Sequence, residues 1–139
     1  MRLIVVLLAG LLTLSGAARA DNTPSWRIGD DLAGTRWQAQ AIKGVPVAEP
    51  GSVTLEFIPG EHVRGQAACN RFVGPYASRD DHINLGPLRL SRLDCGPEGN
   101  ELAQAVIVEL RRANKAILTK DRLELLPSRG PASVFVRVP

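Results

Sequence analysis

Cysteine, histidine and aromatic side chains are all scarce in this 139-residue chain. The two cysteines, Cys69 and Cys95, form no Cys-x-x-Cys pair, and the two histidines, His62 and His82, stand at no recognisable ligand spacing. Dithiol redox chemistry and a zinc site therefore lack their usual sequence supports, and no cofactor or metal is expected. Long apolar runs are missing too: Leu3 to Leu14 falls short of the roughly 20 residues that a membrane-spanning helix requires. Internal repeats and low-complexity tracts are absent.

That short run is preceded by Arg2 and followed by Ala18-Arg19-Ala20, the small-x-small pattern that signal peptidase accepts before Asp21. Residues 1–20 read as a signal peptide, residues 21–31 as a polar lead-in and residues 32–139 as one domain. The 119 residues left after cleavage are too few for two well-buried cores. No cysteine follows Leu14-Ser15-Gly16-Ala17 to accept a lipid, so no stable membrane anchor is expected after cleavage. A soluble monomer, periplasmic or secreted, is the expectation. Arg2 and Arg19 leave with the leader, which takes the formal net charge from +3 to +1. Such a balance gives no electrostatic case for nucleic acid. The arginines are scattered along the chain and read as solvated strand faces and loops.

In an oxidising compartment, two cysteines form a natural pair. A Cys69–Cys95 bridge closes a loop with 25 residues between its ends, for which the chain-entropy model gives about 3–4 kcal/mol of stabilisation. Free thiols, or a redox or metal role, are the alternatives.

The clearest strand is Ser52 to Phe57, where Val53, Leu55 and Phe57 alternate with Thr54 and Glu56. Pro59-Gly60 supplies a turn, and His62 to Ala67 returns with Val63, Gly65 and Ala67 in register, which predicts a hairpin. The small side chains at Gly65, Ala67 and Ala68 suit close passage of another backbone or of a large ring such as Trp37 or Phe72. An earlier strand holds Trp37, facing the core, and Gly44 to Gly51 reads as a loop. Short strands are predicted at Val73–Ser78, His82–Leu85 and Pro87–Ser91; there Arg92 implies either an end at Ser91 or a bulge. Gly96-Pro97-Glu98 opens the one convincing helix, with Arg111 and Arg112 near its end at about Asn114. Its predicted buried stripe is Leu102, Ala105, Val106, Leu110 and Ala113, leaving Ile107 and Val108 off it. Strands at Ala116–Thr119, Arg122–Leu126 and Ser133–Val138 follow. The whole reads as a mainly β (α+β) fold, an antiparallel sheet curled or closed into a barrel, with one α-helix inserted before the last strands and an interior filled by side chains.

The opening Leu32-x-Gly34-Thr35-x-Trp37 and the central run Gly65 to Tyr76, with its Cys69-Asn70, aromatic, glycine and tyrosine, resemble the META domain, the module of HslJ-type heat-shock proteins of the bacterial envelope. Cys95, Glu101 and Leu123-x-Leu125 fall where later landmarks of that family stand. Ala68 departs from the pattern where many members have glycine, and Leu93-Asp94 where methionine and alanine are common. The resemblance implies a small β-rich envelope protein, linked in some relatives to heat stress, antibiotic tolerance or secretion, without an established catalytic centre.

Candidate site residues are the pair Cys69 and Cys95 and the bend-forming or binding residues Asn70, Phe72, Tyr76 and Trp37. Asn70 is expected at the bend, bonding neighbouring backbone and tolerating a left-handed conformation; Phe72 and Tyr76 are expected as core or rim aromatics. A nucleophile set assembled from Ser91, His82 and Asp94 lacks a glycine-flanked elbow around Ser91 and carries no enzyme reading. The expected function is a noncatalytic exported accessory protein that binds an envelope protein or other envelope component. A small ligand in the barrel mouth, stacked on Trp37 or Trp26, and lysozyme inhibition through an inserted loop are the alternatives. An intact-mass measurement on the exported protein checks the leader and the bridge together. The expected mass lacks residues 1–20 and a further two hydrogens; a retained leader or a fully reduced mass contradicts one reading or the other.

Overall fold

A computed structural model describes residues 28–139; the leader and Trp26 lie outside the described residues. The elements are α1 (Ile28–Leu32), β1 (Arg36–Ile42), β2 (Val45–Pro46), β3 (Val53–Ile58), β4 (His62–Ala67), β5 (Asn70–Arg79), β6 (His82–Leu85), β7 (Arg89–Leu90), α2 (Gly96–Arg112), β8 (Ala113–Leu118), β9 (Arg122–Pro127) and β10 (Ser133–Val138). Eight strands run antiparallel in the order β1-β3-β4-β5-β6-β8-β9-β10, and β10 pairs back onto β1, closing the barrel. β2 is attached to β1 and β7 to β5 as extra strands. Closure leaves the ring without an open edge, which a chain exposing backbone donors and acceptors would otherwise present.

Alternation decides which side chains enter. The β3–β4 hairpin runs from Val53↔Ala67 to Ile58↔His62, in the register predicted, with Val53, Leu55, Phe57, Val63 and Ala67 inside. Trp37, Phe72, Leu123, Leu125 and Phe135 fill the remaining interior at no more than 2 % exposure. A ring of this strand number is just wide enough for side chains to pack it solid.

Each mouth carries a helix. α2 touches β1, β4, β6 and β9, strands spread around the ring, and so stops the mouth nearest the β4–β5 turn. Its buried face is Ala103, Val106, Ile107 and Leu110, a three- and four-step repeat. This corrects the predicted stripe: Ala105 is exposed, Leu102 is only half-buried and Ile107 points inward, while Val108 stays outside as expected. Glu109 is also buried, and its carboxylate accepts from Arg112 one turn on at 2.9 Å. α2 stops at Arg112, short of the predicted Asn114, because Ala113 is already extended and enters β8 directly.

At the opposite mouth lies α1, formed partly by residues read as polar lead-in. Ile28 and Leu32 are buried, Ile28 N–H donates to the Asp80 carbonyl at 3.4 Å, and Gly34 N–H donates to the Phe57 carbonyl at 2.7 Å. Other departures are small. β5 begins at Asn70 rather than Val73, and the loop after Gly44 contains the short β2. β7 covers only Arg89 and Leu90, so the strand ends before Arg92 and needs no bulge.

Gly65 sits inside β4, where a Cβ would collide with the Thr54 carbonyl oxygen and with the Phe72 ring. Both a backbone and a ring therefore pass close to Gly65, the ring being Phe72 rather than Trp37. Three residues after Gly65, Ala68 carries the β4–β5 turn at φ 54°, a left-handed conformation costing an L-residue about 1–2 kcal/mol. Gly65→Ala is expected to lower stability by about 2–3 kcal/mol through overpacking. Ala68→Gly is expected to raise it by roughly 0.5–1 kcal/mol, the relieved strain exceeding the added unfolded-state entropy. Urea midpoints at unchanged m-value check both signs; equal effects would contradict the geometry.

Candidate functional site

The central motif folds into a knot of bonds at the α2-capped mouth. Ala68 and Cys69 make the two-residue turn between β4 and β5, and Cys95 stands immediately before α2. The cysteines are disulfide-bonded with Cα atoms 5.6 Å apart, ordinary bridge geometry. The bridge therefore ties the β4–β5 turn to the start of the helix that stops the barrel.

Asn70 makes the second tie. Its Oδ1 accepts from Leu93 N–H at 2.7 Å and from Ser91 Oγ at 2.8 Å; its Nδ2 donates to the Leu93 carbonyl at 3.1 Å and to Cys95 Sγ at 3.2 Å. With 3 % exposure, the amide is buried and fully employed. The expected role is corrected in two respects. Asn70 lies in a strand, the left-handed position being taken by Ala68, and its partners are distant in sequence rather than neighbouring. Asp94 extends the network, accepting from Gly96 N–H at 2.9 Å and Asn100 Nδ2 at 3.1 Å. Those two bonds, the Gly96 one foremost, hold its carboxyl below the usual aspartate range.

The remaining predicted residues stand elsewhere. Trp37 is fully buried, its Nε1 donating to Thr35 Oγ1 at 2.7 Å, with the Arg137 guanidinium 4.8 Å from the ring centroid. Phe72 lies two positions beyond Asn70 on the inner face of β5. Tyr76 meets Phe57 edge to face at 5.1 Å and borders a cavity of about 210 Å³ with Glu61 and Asp30. Burial, then the charges of Glu61 and Asp30, raise its hydroxyl pKa above the ordinary value.

The imagined nucleophile set does not converge. Ser91 Oγ is engaged by Asn70 and by Arg71 N–H, at the start of β5, whereas His82 pairs with Asp81 across from Arg79 at the far end of the same strand. Arg71 and Arg79 are eight positions apart, about 27 Å at the rise of a strand. Among the described residues, no group of three or more His, Cys, Asp or Glu is placed to hold a metal, and no helix is long and apolar enough to cross a membrane.

What the mouth does offer is a groove of about 840 Å³ between the Pro46–Ser52 loop and the first turns of α2, with the disulfide in its wall. Val47 and Leu102 contribute apolar surface, and Glu49 and Glu98 stand exposed at its rim. Sequence reasoning recognised the Pro- and Gly-rich loop but had no means of placing it against a helix fifty residues later.

A family model described as META domain matches residues 30–139. Two solved structures share the fold. One, an NMR structure of a protein from Burkholderia xenovorans, aligns with a TM-score of 0.66 and 22 % identity over 79 % of this chain and 86 % of that one. Another NMR structure aligns at 0.62, again with 22 % identity, over 78 % and 92 %. No curated protein matches the chain.

Removing the Asn70 amide leaves the Leu93 N–H and carbonyl without their partner. Asn70→Ala is therefore expected to cost about 2–3 kcal/mol in urea unfolding. Because Asn70 and the disulfide restrain the same loop, the cost should shrink by at least about 0.5 kcal/mol in a Cys69→Ser/Cys95→Ser background. Strict additivity in that cycle would show that the two ties act independently.

Proposed function

Since the chain belongs to the META domain family, we propose that it is an exported, noncatalytic accessory protein whose rigid barrel binds a protein or other component of the bacterial envelope at the disulfide-walled groove. One observation carries the reading. The Asn70 amide and the two bridged sulfurs are spent on one another, on Ser91 and on the Leu93 backbone, so they organise a surface instead of activating a bond. A groove with a covalent bridge in its wall is preorganised on that side, which lowers the ordering cost of association.

A disulfide in the fold and a leader-like amino terminus support an oxidising compartment outside the cytoplasm, the periplasm in a bacterial source. Association with heat stress or antibiotic tolerance comes from the family alone. The alternative of a ligand stacked in the barrel mouth draws no support from Trp37, which is buried beneath Arg137.

Photo-crosslinking amino acids at Ala48 and Glu98, in the groove, and at exposed Ile117 on β8 as a distant control, test the reading in cells. The expected result is one and the same adduct from both groove positions, confirmed from the partner's side by reciprocal capture, and none from Ile117. Adducts no stronger at the groove than at Ile117 would remove the groove as the binding surface.

A further inference from the structure

The arginines that look scattered in sequence are gathered by strand register onto one outer face of the barrel. A single row crosses five strands: Arg36 on β1 is paired with Glu56 on β3, Glu56 with Arg64 on β4, Arg64 with Val73 on β5, and Val73 with Arg89 on β7. At about 4.8 Å per strand, the row extends roughly 19 Å. Arg71 stands on the same face two residues before Val73, diagonal to both Arg64 and Arg89 and about 7–8 Å from each by backbone. Val73, 45 % exposed, is therefore an apolar centre ringed by Arg64, Arg71 and Arg89.

Charge is concentrated there. Four arginines and Glu56 give the face a formal +3, whereas residues 28–139 together carry +1. Glu56 is already held by Arg64 through bonds of 2.9 and 3.2 Å, and Arg36 donates to the Pro139 carbonyl. Among the described residues, Arg71 and Arg89 form no ion pair. Beside them lies a shallow depression of about 400 Å³, lined by Glu56, Arg64, Arg71 and Val73.

We propose that this face docks peripherally on a membrane through anionic phospholipid headgroups, with Arg71 and Arg89 as the principal contacts and Val73 pressed toward the acyl boundary. Three features select a headgroup layer over an acidic peptide. The four cations, on β1, β4, β5 and β7, spread in two dimensions, matching a lattice of anions better than a line of them. Guanidinium forks pair bidentately with phosphate oxygens. An exposed apolar side chain inside a cationic ring suits a surface that is charged outside and apolar beneath.

This inference deepens the envelope-binding reading and rests on it for the compartment, but it concerns a different surface. Co-sedimentation of the leader-processed protein with phosphatidylcholine vesicles, with and without about one-third phosphatidylglycerol, tests it. Binding is expected only to the anionic vesicles and is expected to weaken as salt rises. Each arginine near an anionic surface contributes a factor of about five, so Arg71→Gln/Arg89→Gln should partition on the order of 25-fold more weakly. Lys120→Gln, an equal loss of charge per residue at an exposed site elsewhere, should change partitioning less than about twofold. Unchanged urea midpoints would show that the variants remain folded. Equal binding to neutral vesicles, or a double variant that binds like the parent, would overturn the proposal. So would capture on immobilised polyglutamate without vesicle binding, which indicates an acidic protein partner. Release by inorganic phosphate beyond that by chloride of equal ionic strength would also overturn it, indicating a free-phosphate site. Groove crosslinks that persist while vesicle binding fails would sink this inference alone and leave the preceding reading intact.

Discussion

Pairing of the last strand with the first governs this molecule. Once Arg36–Ala39 of β1 lie beside Phe135–Val138 of β10, each strand of the ring has two neighbours, and inside and outside become separate environments. Trp37 and Phe135 then have only the interior to occupy, and the outward residues of successive strands are forced into rows. With the middle filled by side chains, no helix can enter the ring, and α1 and α2 lie at its mouths. The thinnest part of the ring is β6 against β8, where the register holds a single pair, His82 and Lys115. Asp81 reinforces that seam, pairing with His82 and Lys115 at 3.0 Å each while its carbonyl accepts from Ala116 N–H.

Local chemistry was sufficient wherever neighbours in sequence are also neighbours in space. The Val53-Leu55-Phe57 alternation, the Pro59-Gly60 turn and the Gly96-Pro97 helix start can all be read from a few adjacent residues, and each appears in the fold. Closure was legible only as a class, because no short window records that β10 returns to β1. α2 shows a subtler limit. Alanine is compatible with either face of a helix, so Ala103 and Ala105 could not be told apart until the barrel mouth selected one of them. The isolated arginines posed the same difficulty. Arg36, Arg64 and Arg89 become a row only through the registers of five strands, and no spacing along the chain reveals it.

Asn70 illustrates how a residue can be conspicuous in sequence while its partners are not. Its type and its position beside a cysteine were evident, but its four partners lie 21 to 25 residues away. Those bonds replace the water that a buried amide would otherwise lose, which is why this polar side chain is tolerated in the interior. The disulfide and the amide restrain one loop from two directions. The groove at the mouth has that bridge in its wall.

A lid requires a hinge, and α2 has one at neither end. Its first residue follows the bridged Cys95, and its last passes into β8 without an intervening loop. Swinging this stopper aside would mean breaking a covalent bond or unzipping a barrel strand. The stopper at this mouth is therefore as fixed as the wall it closes.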